Sequence, residues 1–242
     1  MQADAIKRLL DINREFYQMF GNDFSATRGR IQPGVRMVLD RLAGINHILD
    51  LGCGNGELAR HLAKNGYQGS YTGLDFSPTL LAAAGHQPDL FPAIFLQADL
   101  TSPDWDTTLP AARYDRVFAF ASLHHVPTEA LRLQIIRKIA RLLNGQGQFI
   151  HSNWQFLNSP RLQDRIQPWQ AVGLMTEDLD PGDYLLDWRR GGQGLRYVHN
   201  FNEGELSRLA EASGFRICET FLSDGQGGKL GLYQIWELLS MA

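Results

Sequence analysis

Apolar residues recur at helical spacing over residues 3–20, where Ile6, Leu9, Leu10, Asn13, Phe16, Tyr17 and Phe20 share one stripe. This predicts an amphipathic helix ending near Gly21. A second helix is predicted from Pro33, a residue suited to a first helical turn, with Val35, Val38, Leu39 and Leu42 inward and Gly44 closing it. The pattern then changes. His47 to Leu51 reads as a short buried strand running into Gly52-Cys53-Gly54-Asn55-Gly56, and Leu58, Ala59, Leu62 and Ala63 mark the helix that follows. Strands over 70–75, 93–97 and 114–120 alternate with a helix over 78–85. Thr128 is placed to cap a helix with Leu131, Ile135, Ile136, Ile139, Leu142 and Leu143 on one face, stopped by Asn144-Gly145, before a fifth strand from Gln148 to His151. Alternation of this kind predicts an α/β domain with a parallel sheet.

Residues 153–200 lack strong periodicity and contain Pro160, Pro168, Pro181 and Gly191-Gly192, which predicts an irregular, lid-like insertion with short helical pieces. Asn202 and Glu205 have the spacing of a capping box, opening a helix with Leu206, Leu209 and Ala210 that ends at Gly214. Two last strands, 215–222 and 230–238, flank Asp224-Gly225-Gln226-Gly227-Gly228 as an antiparallel hairpin. We therefore expect a single domain over 1–242, with residues 1–44 as a helical cap.

Composition narrows the classes. With 44% hydrophobic and 20% charged residues the chain reads as globular and soluble. Its longest apolar runs are too short to cross a bilayer, and charges at Asp4, Lys7, Arg8, Asp11 and Arg14 break up any signal-peptide core, so a cytoplasmic location is expected. Two cysteines, Cys53 in the glycine turn and Cys218 in a strand, suggest neither a disulfide framework nor a metal cluster. A net charge of −3 argues against broad electrostatic binding of nucleic acid.

The chemistry concentrates at strand ends. A glycine turn between strand and helix lets a ligand approach backbone amides at a positive helix end. The P-loop reading fails, because no Gly-Lys-Ser/Thr follows. Asp75, at the end of the second strand, is placed to bind the hydroxyls of a ribose, while Asp99 after the third strand can accept from an adenine amino group with Leu100 and Phe76 packed on the ring. A nicotinamide-dependent oxidoreductase shares the turn and the acidic strand end but has no special need of Asp99-Leu100.

Leu49-Asp50-Leu51-Gly52-Cys53-Gly54-Asn55-Gly56, Asp75, Asp99 and Tyr114-Asp115-Arg116-Val117 together resemble the motifs of class I S-adenosylmethionine-dependent methyltransferases. That resemblance implies a doubly wound, Rossmann-like seven-stranded mixed sheet with S-adenosylmethionine as cofactor. It implies that Gly52 and Gly54 lie along the methionine part, that Asp75 holds the ribose and that Asp99 holds the adenine, with Asp50, Cys53, Phe76, Ser77, Leu100, Ala121 and Ser122 also among the cofactor-binding residues. A narrower resemblance, to the eukaryotic tRNA wobble-uridine carboxymethyl methyltransferases, rests on three stretches: Asn22 to Arg28, Ser122-Leu123-His124-His125, and Arg196 to Leu206 with Trp154 before it. It implies that Arg28 meets the cofactor carboxylate, that the acceptor is a modified tRNA wobble uridine, and that a small activator protein is a partner; a small carboxylate-bearing acceptor, or a small-molecule O- or N-methyltransferase unrelated to RNA, is the alternative reading.

On the acceptor side, His124 or His125 could act as a general base for a hydroxyl or amine, since imidazole titrates near neutrality, whereas a carboxylate acceptor needs none. Equally, one His packs and the other bonds backbone. Arg196, Tyr197 and His199 are candidates for an anionic acceptor pocket, or else an extended edge with a solvated face. Trp154 is a candidate to stack on a planar acceptor or to pack the lid. A non-catalytic cofactor-binding protein remains the third class, since fold does not establish chemistry.

Overall fold

The computed structural model describes residues 1–27, 29–85, 92–110 and 113–239. Helices α1 (Ala3–Ser25) and α2 (Pro33–Leu39) precede β1 (His47–Leu51), α3 (Glu57–Lys64), β2 (Ser70–Asp75), α4 (Pro78–Gly85), β3 (Ala93–Gln97), β4 (Tyr114–Phe120), α5 (Glu129–Leu142) and β5 (Leu143–Trp154). After them come α6 (Pro160–Gln163), β6 (Ile166–Gln167), β7 (Asp183–Trp188), β8 (Gly194–His199), α7 (Glu203–Ala212), β9 (Phe215–Ser223) and β10 (Gly231–Leu238). One seven-stranded sheet runs β3-β2-β1-β4-β5-β10-β9. Its first five strands are parallel, and β10 is antiparallel to both β5 and β9. This is the doubly wound mixed sheet with a C-terminal hairpin that the motifs implied.

Both faces of the sheet are covered, which is why its central strands read as apolar runs. Leu49, Leu51, Val117 and Phe149 pack under α5 and α7. Ile48, Phe118 and Ile150 pack under α2 and α3, so α2 belongs to the main core. Chain order reverses between β1 and β4, and a crevice opens at their carboxyl ends.

Besides α2, which ends at Leu39 with Asp40 as its C-cap rather than running to Gly44, three expectations differ from the structure. First, β5 begins at Leu143, since Leu143 pairs with Tyr114 across a register shift, and it reaches Trp154 because β10 pairs with it that far. Second, α1 continues past Gly21 to Ser25, its buried Gly21 packing against Thr79 of α4. Third, the insertion is not irregular: β6, β7 and β8 form an antiparallel sheet in which Asp183 pairs with His199 and Trp188 with Gly194. Leu185 and Tyr197 pack on Leu9 and Ile12 of α1, while Leu186 and Val198 pack on Phe156 and Leu162. With both faces apolar, the period-two alternation that betrays a strand is erased.

Candidate active site

A cleft of about 560 Å³ lies across the carboxyl ends of β1, β2, β4 and β5, roofed by α1 and by β8 of the small sheet. At one end is the glycine turn. Gly52 has φ +80°, and a Cβ there would lie 2.7 Å from Cβ of Ser122; Gly54 has φ +57°, with nothing within 4 Å of its Cβ position. The amides of Gly52 and Cys53 both donate to the Leu74 carbonyl, so the turn is tied to β2 and its other face is left to the cleft.

Asp75 holds this turn together. Its Oδ2 accepts from the Gly54 amide and its Oδ1 from the Ser77 amide, each at 2.9 Å. Burial pushes its pKa up while those amides pull it down, and the net shift is upward. Asp50 lies deeper; burial raises its pKa to about 7, although Tyr71 donates to it at 2.5 Å. Cys53 is a buried thiol whose pKa burial pushes well up, beside the Asp50 and Asp75 carboxylates, so it stays protonated and packs. Asp99 accepts from Thr101 at one oxygen and from Arg14 of α1 at the other. Burial opposes ionisation there, but these donors hold its pKa below the usual carboxylate value. Phe76, Ala98, Leu100 and Thr101 line the same end. Ala121 closes β4 with φ 54°, strained for a residue with a Cβ, its amide held by Ser152. Arg28 lies outside the described residues.

The opposite end is formed by the turn after β4, by Trp154, and by arginines. His124 Nδ1 accepts from the Trp154 amide at 3.4 Å, which leaves the proton on Nε2. His125 is held on both nitrogens: Nδ1 lies 3.0 Å from the Tyr197 carbonyl, and Nε2 3.1 Å from the Tyr17 hydroxyl. Arg196 enters the cleft from β8. It is 6% exposed, and its guanidinium carbon sits 4.9 Å from the Phe16 ring centre, 5.3 Å from Trp188 and 5.5 Å from Trp154. Arg30 and Arg161 line the mouth.

Tyr197 and His199 do not reach the cleft, because strand alternation turns them to the opposite face from Arg196. They join a buried network instead. Tyr197 donates to Asp183 at 2.8 Å, His199 contacts Asp183 at 2.7 Å and Glu205 at 2.9 Å, and Arg132 of α5 donates to Glu205 at 2.9 Å and to Tyr197 at 3.2 Å. Asn202 caps α7 by accepting from the Glu205 amide, but the Glu205 carboxylate turns inward to this network, so only half of a capping box forms.

Sequence reasoning missed Asn13, Arg14 and Tyr17 of α1, which reach β8, Asp99 and His125. A signal existed for one of them: Asn13 is a polar residue within the apolar stripe of the first helix. Among the described residues, no group of three or more His, Cys, Asp or Glu is arranged to hold a metal, and no helix is long and apolar enough to cross a membrane.

Comparison with known proteins agrees with this arrangement. Residues 48–147 match the profile of a methyltransferase domain. The chain is 28% identical over 222 residues to the tRNA (carboxymethyluridine(34)-5-O)-methyltransferase of Schizosaccharomyces pombe, covering 85% of this chain and 89% of that one. It is 35% identical over 122 residues to a trans-aconitate 2-methyltransferase of Acidovorax ebreus, covering 50% of this chain and 42% of that one. Among solved structures, an S-adenosylmethionine-dependent methyltransferase of Methanosarcina mazei superposes with a TM-score of 0.66 at 23% identity, covering 87% of this chain and 99% of that one.

Proposed function

Because this chain is an S-adenosylmethionine-dependent methyltransferase, we propose that it esterifies a carboxylate of its acceptor, carried on a modified tRNA wobble uridine or on a small organic acid. The observation that carries this reading is Arg196, a cation brought into the cleft opposite the glycine turn and walled by three aromatic rings. Low local polarity strengthens its attraction for an anion, and its fork matches a carboxylate with two parallel hydrogen bonds. The histidines favour the same reading. His124 presents a protonated Nε2 and His125 is held at both nitrogens, so neither is set up as a base, and a carboxylate oxygen needs none.

The residues of the other end fit the cofactor. The open side of Gly54, with nothing within 4 Å of its Cβ position, admits an amino-acid chain, and Asp75 and Asp99 stand where ribose hydroxyls and an adenine amino group need acceptors. When bound there, the cofactor supplies an electrophilic methyl on a sulfonium. The chain contributes alignment and exclusion of water: α1 and β8 roof the cleft, and Arg196 with Trp154 sets the direction from which the carboxylate arrives. A tRNA acceptor is favoured by the relative that spans most of both chains, and its phosphates would meet Arg30 and Arg161 at the mouth. A cytoplasmic location and a small activator partner belong to the same proposal.

The test offers a 5-carboxymethyluridine anticodon stem-loop and trans-aconitate separately, with labelled cofactor, and measures methanol released by alkali. A base-labile product with either acceptor is expected, and Arg196→Met should raise the acceptor KM about ten- to a hundredfold, the value of a lost charge-assisted bond. Methylation that resists alkali would overturn the carboxylate reading.

A further inference from the structure

We propose that Asn13 is a positioning residue for Arg196, acting through the backbone of Tyr197. Strand β8 pairs with β7 along one edge, and at Tyr197 the other edge faces α1. Asn13, 4% exposed in the middle of α1, occupies that edge as a neighbouring strand would. Its Oδ1 accepts from the Tyr197 amide at 2.9 Å, and its Nδ2 donates to the Tyr197 carbonyl at 3.1 Å. Both backbone groups of one residue are thereby satisfied by one side chain. The same carbonyl receives His125 Nδ1 at 3.0 Å, and Tyr17, one turn after Asn13, bonds the far nitrogen of that ring at 3.1 Å.

The consequence falls on the adjacent residue. Arg196 points to the cleft from the peptide that Asn13 fixes, and Phe16 of the same helix forms one wall of its aromatic cage. A guanidinium on a flexible stem recognises a carboxylate well only if its Cα is held, because a bidentate pair tolerates little error in angle. Packing alone does not supply that hold. A Leu at position 13 would fill the space yet leave the buried Tyr197 amide without its acceptor, so the strand edge would shift to find water.

The first measurement needs no acceptor. In protein labelled with 15N-arginine, the Nε–H signal of Arg196, identified by its loss in Arg196→Lys, should be displaced by the rings of Phe16, Trp154 and Trp188. In Asn13→Leu it should move to the position of exposed arginines. Asn13→Asp keeps the acceptor for the Tyr197 amide but loses the donor, and should move the signal part of the way; if Asn13→Leu does not fold, this variant decides. A signal left in place in a folded variant overturns the proposal, since a merely structural role would lower the melting temperature without releasing the guanidinium.

The kinetic arm rests on the carboxylate reading above. With the carboxymethyluridine stem-loop or trans-aconitate, whichever is turned over, Asn13→Leu should raise the acceptor KM about tenfold with little change in kcat or cofactor affinity, and should add nothing in an Arg196→Met background. Multiplying effects would overturn the positioning role. An unchanged KM in Arg196→Met alone would instead overturn the carboxylate reading, leaving the spectroscopic result to stand by itself.

Discussion

Replacing Arg132 by Met should destabilise the protein strongly and in a pH-dependent way. Arg132 is 2% exposed, and besides Glu205 and Tyr197 it donates to the Val126 carbonyl at 2.9 Å and lies 3.8 Å from Asp183. Methionine fills much of the volume but abandons two carboxylates in a dry interior. Removing one partner of a buried ion pair costs about 3–5 kcal/mol, which for a chain of this size lowers the melting temperature by roughly 10 °C. His199 supplies the pH dependence. Burial lowers its pKa, but the hydrogen bonds to Asp183 and Glu205 outweigh burial and raise it above the ordinary value. A raised folded pKa means that the His199 contribution is complete below the unfolded value and fades as pH rises through the folded one. With Arg132 gone, the imidazolium is the remaining cation of the network, so the loss should be larger at pH 8.5 than at pH 6. Urea unfolding followed by tryptophan fluorescence at both pH values measures it, with hydrogen exchange at β7 and β8 reporting whether the small sheet loosens first. A loss below about 1 kcal/mol, or one equal at the two pH values, would refute the view that Arg132 and His199 together neutralise these carboxylates.

Gly52→Ala and Gly54→Ala should part company: both put a Cβ on left-handed backbone, at about 1 kcal/mol each, but the former also drives it to 2.7 Å from Ser122 and should cost about 2–3 kcal/mol of stability, while the latter meets nothing within 4 Å and should chiefly weaken cofactor binding. Melting curves and calorimetry separate the two, and equal destabilisation would contradict the geometry. Asp75→Ala removes the acceptor shared by the Gly54 and Ser77 amides and should lower S-adenosylmethionine affinity at least about thirtyfold, with NAD as the control titrant; retained affinity would remove Asp75 from the site. Asp50, its pKa raised to about 7 by burial, binds a proton that the unfolded chain has released, so its contribution to stability is lost as pH rises from about 4 through 7. Asp50→Asn should therefore gain on the wild type between pH 4 and pH 8, by roughly 4 kcal/mol at most, and a gap that does not change with pH would mean that Asp50 is ionised throughout.

What the sequence determined by itself was the half of the protein whose structure is local. A buried parallel strand announces itself as an apolar run, and a turn with positive φ demands glycine, so β1 to β4, the Gly52–Gly54 turn and the acids at the ends of β2 and β3 are legible in the sequence. Tertiary structure decided the rest. In β7 and β8 both faces are apolar because α1 covers one and Phe156 and Leu162 the other, and no residue in those strands can signal a partner 160 or more positions away. Tyr197 and His199 looked like site residues in the same stretch as Arg196. Only the pleat of a strand, absent from any local pattern once both faces are buried, sends Arg196 into the cleft and the other two into the ion network. Asn13 shows the limit most plainly: a polar residue in an apolar stripe is visible in the sequence, but its partners are a distant strand's backbone amide and carbonyl, groups that every residue carries and that only folding brings within reach.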